Sequence, residues 1–193
     1  MAAETPRSPA GPGEPARRLF FALWPDERMR EALAEATRET ARASGGWPVP
    51  AGNLHVTMAF LGSVPQRRLG ELAEAARAAA PGPERDALGL SFDHLEYWRA
   101  AQLLCVAPAE PSAPAAALAG RLQARLAQSG FAPDLKPFRP HVTVVRKVSR
   151  PGRIGKMQPV EWSFTQLALI ESRTLPEGSL YSVVESYALC GEP

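Results

Sequence analysis

The sequence predicts a mixed strand-and-helix chain made of two similar strand–helix–strand units that face each other across a groove. Two observations carry this. A short phrase occurs twice: Asn53-Leu54-His55-Val56-Thr57-Met58-Ala59-Phe60 and Arg139-Pro140-His141-Val142-Thr143-Val144-Val145-Arg146 share His-Val-Thr followed by apolar residues. A weak repeat lies beneath it, in which Leu19-Phe20-Phe21-Ala22, a helix and His55 correspond to Leu104-Cys105-Val106-Ala107, a helix and His141. Ala22 precedes its histidine by 33 positions and Ala107 precedes its own by 34.

Taken in order, residues 1–16 are Ala, Pro, Gly and Glu with almost nothing to bury, which predicts a disordered tail ahead of a single domain over residues 17–193. The apolar run Arg18–Trp24 has strand length, and Pro25-Asp26 is a helix-start signal. Met29, Leu33 and Ala36 recur at helical spacing until Gly45-Gly46 stops the pattern. Trp47-Pro48-Val49-Pro50 is a stiff approach to the first His-Val-Thr strand, which Gly62 closes. Residues 66–80 form a second amphipathic helix ended by Pro81-Gly82-Pro83. Leu88–Trp98 and Gln102–Ala107 read as a hairpin. A third helix, Ala113–Gln128, carries Leu118, Leu122 and Leu126 on one stripe. Pro133, Pro137 and Pro140 hold the approach to the second motif extended. Residues 149–159 read as a basic loop containing Arg150, Arg153 and Lys156, either merely exposed or a shallow track for an RNA backbone. The runs 162–173 and 181–190 close the chain as a hairpin turning at 176–179.

The chemistry lies in the repeated phrase. Alternate side chains of a strand share a face, so His55 goes with Thr57 and His141 with Thr143. An imidazole pKa near 6.5 makes both protonation states accessible at neutral pH. Two imidazoles across a cleft can therefore supply an acid and a base together. Flanking hydroxyls can donate to an anionic oxygen between them, which suits a phosphate. His94 has no repeat partner and reads as structural or surface. The tryptophans read as core or rim.

Bulk properties narrow the setting. A formal charge of +2 is compatible with an anionic ligand but too weak for extended nucleic-acid binding. Cys105 and Cys190 lack zinc spacing and are too few for a disulfide scaffold. The motifs lack the clustered His and carboxylate ligands of a zinc or two-metal centre. No apolar run approaches the ~20 residues that span a bilayer. A cytoplasmic monomer with no cofactor is expected.

The motifs resemble those of the 2H phosphoesterase superfamily. More narrowly, residues 53–62 and 138–146 resemble the RNA 2′,3′-cyclic phosphodiesterases, also called the 2′-5′ RNA ligase family, and the likeness runs from about Arg18 to Leu189. The resemblance implies an α+β fold of two pseudo-symmetric lobes, each an antiparallel sheet with helices on its outer face, around a central cleft. It implies metal-independent hydrolysis of RNA ends or nucleoside 2′,3′-cyclic phosphates to the 2′-phosphate, with 2′-5′ ligation or action on another 2′-5′ or cyclic phosphodiester as variants. His55 would be the general acid and His141 the general base, or the reverse, with Thr57 and Thr143 holding phosphate oxygens. Arg146 matches a family arginine that contacts the phosphate, and Phe60, at the same offset from its own histidine, could stack on a nucleobase. An offset of five lies on the opposite face of a regular strand, so reaching the phosphate requires the Arg146 strand to bend or end, or its long side chain to curl round the edge. A nucleotide- or RNA-binding module that kept the cleft and lost catalysis is the rival class.

Overall fold

The computed structural model describes residues 15–80, 87–132, 137–152, 154–176 and 178–189. The expectations for residues 1–14, Pro81-Gly82-Pro83, Pro133, Arg153 and Cys190 lie outside that range.

Among the described residues, nine strands form two wholly antiparallel sheets, and three helices cover them. The first sheet has the order β3-β1-β8-β9, from β1 (Ala16–Leu23), β3 (Val56–Pro65), β8 (Gln166–Leu175) and β9 (Gly178–Ala188). The second has the order β2-β6-β5-β4-β7, from β2 (Trp47–Pro48), β4 (Leu88–Trp98), β5 (Leu103–Ala107), β6 (Val142–Arg146) and β7 (Gly155–Phe164). Removing β2 makes the two orders superimposable, with β3 and β1 matching β6 and β5. The α+β, pseudo-symmetric arrangement expected from the paired motifs is the one observed.

The helices begin and end on local signals. Asp26 caps α1 (Glu27–Ala43) by accepting from the Met29 amide at 2.8 Å. Ser112 does the same for α3 (Ala113–Gln128) from the Ala115 amide at 3.4 Å. The expected second helix divides into a 3₁₀ turn at Gln66–Arg68 and α2 (Leu69–Ala79). On α1 the buried stripe continues through Thr37 while Ala36 faces out, and the Leu33 carbonyl satisfies the Thr37 hydroxyl at 2.8 Å.

Each connecting helix serves the other unit's sheet. α1 links β1 to β3 of the first sheet and packs on β6 and β7 of the second. α3 links β5 to β6 of the second and packs on β3 of the first and on α2, which in turn meets β9. One apolar cluster therefore runs through both sheets and all three helices, from Leu19, Phe21 and Leu23 to Phe92, Val106 and Trp162.

Three expectations need correction. Residues 15 and 16 belong to the fold: Ala16 opens β1 opposite Pro65, and the Pro15 carbonyl accepts from the Gln66 amide at 3.0 Å. The basic stretch 149–159 is not all loop, because β7 starts at Gly155 and pairs Lys156 with His94 and Val160 with Phe92. Residues 162–164 therefore end β7 rather than begin the closing hairpin, which is β8 and β9. The repeat is also offset by two: Ala22 lies opposite Thr57 while Cys105, not Ala107, lies opposite Thr143. A two-residue slip preserves which side chains face in, so alternating apolarity could not distinguish the alignments.

Trp162 joins β7 to α1, with its ring fully buried and its Nε1–H donating to the Met29 carbonyl at 2.9 Å. Trp162→Phe removes that bond and part of the ring volume. Urea unfolding should show a loss of about 1–3 kcal/mol; an unchanged midpoint would mean that the α1–β7 contact contributes no stability.

Candidate active site

Both histidines sit one residue ahead of their strands, and both are held the same way. The His55 Nδ1 lies 2.7 Å from the Asn53 carbonyl and the His141 Nδ1 lies 2.8 Å from the Arg139 carbonyl, two residues back in each case. A carbonyl can only accept, so each Nδ1 carries the hydrogen and each Nε2 of the neutral ring is left as the acceptor. The His55 Nε2 is 3.1 Å from the Thr57 hydroxyl, which donates to it while the ring is neutral. Thr143 has Cys105 beside it, with Sγ 3.8 Å from the hydroxyl. Burial pushes the Cys105 thiol up to about 11, so it stays protonated near neutral pH.

The next residues reach the same face through matched bulges. Along β3 the pairing with β1 passes from Ala22–Thr57 to Phe21–Ala59, skipping Met58. Along β6 the pairing with β5 passes from Cys105–Thr143 to Leu104–Val145, skipping Val144. Each extra residue reverses the alternation, and the burial changes with it. Met58 and Ala59 are both buried, as are Val144 and Val145, after which Phe60 and Arg146 are exposed. Both bulges fall three residues after the histidine. Phe60 and Arg146, on different sheets, thus line one cavity of about 280 Å³ together with His55, Thr57, Arg18 and Tyr181. The Arg18 guanidinium stands 5.1 Å over the Phe60 ring.

An aromatic wall surrounds His55. Its ring lies 4.9 Å from Phe20, 5.5 Å from Trp24 and 5.3 Å from Tyr181, centroid to centroid. Phe20 and Ala22 of β1 join Ala168 and Ile170 of β8 in a small apolar cluster apart from the main core, with Trp24 and Tyr181 packed on it. Desolvation in these surroundings pushes the His55 pKa down to about 4. The Asn53 carbonyl opposes the fall, and the positive charges of Arg146, His141 and Arg30 add to it. Desolvation lowers His141 as well, against the Arg139 carbonyl.

His141 has its own support, which no local sequence pattern singles out. Its ring lies 4.3 Å from Trp98. Glu96 accepts from the Trp98 indole at 3.0 Å and from the Arg139 guanidinium at 2.5 Å. One carboxylate thereby fixes both the ring against His141 and the residue whose carbonyl orients it. His94 instead bonds Asp93 at 3.0 Å, consistent with a structural role. Among the described residues, no group of three or more His, Cys, Asp or Glu is placed to hold a metal ion, and no helix is long and apolar enough to cross a membrane.

Two antiparallel sheets, each with a His-x-Thr strand, and a cavity that His55, Thr57 and Arg146 line from both sheets match the class of the 2H phosphoesterases. The family model of the 2′-5′ RNA ligase superfamily matches residues 24–174, and the chain belongs to that superfamily. An RNA 2′,3′-cyclic phosphodiesterase of Thermus thermophilus is 31% identical over 193 aligned residues, covering 91% of each chain. One of Escherichia coli is 29% identical over 176, covering 90% of this chain and 97% of its own. Among solved structures, E. coli LigT complexed with 3′-AMP superposes with a TM-score of 0.80 at 26% identity, covering 91% of this chain and 99% of that one. A phosphoesterase superposes at 0.81 and 26%, covering 92% and 100%.

The low His55 pKa has a consequence for stability. The unfolded chain binds a proton at His55 near pH 6.5, whereas the folded protein resists it until about pH 4. The unfolded state therefore takes up more protons in that window, and stability falls as pH falls through it. Thermal melts between pH 7 and 4 should show a steeper decline for the wild type than for His55→Asn; parallel declines would contradict the burial of a neutral imidazole.

Proposed function

We propose that the chain hydrolyses the 2′,3′-cyclic phosphate of RNA ends or nucleosides to the 2′-phosphate, by acid–base catalysis and without a metal ion. The observation that carries this reading is the pair of bulges that bring Arg146 and Phe60, from different sheets, into one cavity with His55 and Thr57. The activity named for the Thermus and E. coli relatives supports it.

In this mechanism water attacks phosphorus in line with O3′. Its proton passes to the Nε2 of His141, the P–O3′ bond breaks, and the Nε2 of His55 gives a proton to O3′. Thr57 and Thr143 donate to the non-bridging oxygens. Once His55 is protonated it no longer needs the Thr57 hydrogen, which becomes free for the phosphate. Arg146 supplies a forked cation suited to two phosphate oxygens. Placed near the phosphate, its charge would serve the developing oxyanion in the way a Lewis acid could. A 5′-hydroxyl replacing the water would give 2′-5′ ligation through the same groups.

A general acid with a pKa near 4 holds little proton at neutral pH, so the acid role of His55 depends on the substrate. An anionic phosphodiester beside the ring offsets the Arg146 charge and raises that pKa. kcat reports the complex and kcat/KM the free protein, so the alkaline limb of kcat should lie at the higher pH. Coincident limbs would contradict the assignment. With a 2′,3′-cyclic nucleotide and EDTA present, the wild type should form the 2′-monophosphate. His55→Ala and His141→Ala should each lower kcat by about 10²–10⁴. Loss of activity in EDTA that zinc or magnesium restores, or near-wild-type turnover in either variant, would overturn the mechanism.

A further inference from the structure

Beyond the phosphate cavity the cleft opens into a larger groove of about 740 Å³, within the usual range for ligand sites. The two share Arg146, Ser179 and Tyr181, so a chain bound at His55 can run directly from one into the other. Trp47 and Lys147 of the second unit line one side, and Leu180 lines the other. Asn53, two residues before His55, bridges the two sides' neighbourhoods by donating to the Ser179 carbonyl at 2.8 Å.

The exposure of this groove is unusual for its composition. Trp47 is 64% exposed and Leu180 50%, although both are large and apolar. A lone exposed tryptophan is unremarkable, but this one is held in place. It forms β2 with Pro48 opposite Arg146 and Val145. The Gly46 backbone before it approaches so closely that a Cβ there would stand 2.7 Å from both the Arg146 carbonyl and a Val145 methyl. Lys147 takes a left-handed backbone, φ 53°, and sets its ammonium 3.7 Å over the indole. The cation covers one face of the ring and leaves the rest to the groove. Among the described lining residues two are cationic and none is acidic. A rigid exposed ring beside fixed cations is the combination that binds single-stranded nucleic acid, through base stacking and backbone charge.

We infer that Trp47, Lys147 and Leu180 form a subsite for the nucleotide on the 5′ side of the terminal cyclic phosphate, with its base on the Trp47–Leu180 surface and its phosphate toward Lys147. This rests on the proposed activity at the histidines. It adds that the preferred substrate is an oligonucleotide end rather than a free cyclic nucleotide. Phe60 lines the phosphate cavity but not this groove, and Trp47 the reverse, so each ring is available to a different base.

The test is a comparison of binding for two product-like ligands, a nucleoside 2′-phosphate and a dinucleotide ending in a 2′-phosphate, to the wild type, Trp47→Ala and Trp47→Phe. The wild type should bind the dinucleotide about tenfold more tightly, the scale of one stacked base. Trp47→Ala should lose that advantage while binding the mononucleotide as before, and Trp47→Phe should keep most of it. Equal binding of the two ligands by the wild type, or a dinucleotide advantage that survives Trp47→Ala, would overturn the subsite. A mononucleotide loss as large as the dinucleotide loss would overturn it too. Because binding is read directly, these outcomes are separate from whether the wild type turns over a cyclic mononucleotide, which tests the proposed activity itself.

Discussion

A strand shows every second side chain to one face, so a residue five places after a histidine belongs on the opposite side of its sheet. Phe60 and Arg146 both stand at that offset, and both nevertheless reach the cleft, because Met58 and Val144 are each taken out of register as a bulge. The remainder of the site depends on this local reversal. It lets one short stretch do two jobs: Val56, Met58 and Ala59 fill the core while His55, Thr57 and Phe60 line the cavity, and in β6 Val142, Val144 and Val145 are buried while Arg146 reaches the same cavity. A regular strand would direct the Arg146 guanidinium toward packed apolar residues, where an unpaired charge is costly. The bulge is thus required by burial as much as by chemistry.

The exchange of helices locks the two halves together. If each helix covered its own sheet, the cleft would be an interface between two separately packed units, free to vary. Here α1 leaves β1 to pack on β6 and β7, and α3 leaves β5 to pack on β3 and α2. Opening the cleft would break one continuous core. The Trp162–Met29 bond and the Arg68 guanidinium, which donates to the Ser129 carbonyl at 2.6 Å, join elements 133 and 61 positions apart in the same way. Rigid spacing between an acid and a base is what a two-histidine mechanism needs.

Much of this could be read from residues alone, for identifiable reasons. The repeated His-Val-Thr phrase pointed to the two equivalent strands, and His55 and Thr57 share a cavity because β-strand alternation is strict over three residues. Helix α3 carried a leucine stripe and Gly130 just past its end, and its limits came out as expected. The bulges had no such mark, since Met58 and Val144 look like any apolar strand residue; only the odd offset of Arg146 hinted at them. Strand β7 was hidden by its own exposure: only Trp162 and Phe164 near its end are buried, and Gly155 and Pro159 mimic loop composition. Strand β2 is two residues long and too short for any pattern. Which sheet a helix covers does not follow from the helix, because an apolar stripe fits either. The Glu96–Trp98–Arg139 support of His141 joins residues 43 positions apart, and no local pattern encodes such a pairing.

The account centres on two imidazoles that serve a single anion. Titrating the protein with inorganic phosphate while following the His55 and His141 ring resonances by NMR tests this most directly. Both sets of signals should move along one binding curve, and both pKa values should rise in the complex, that of His55 from its low starting point. A response confined to one ring, or two curves with different midpoints, would contradict the shared site.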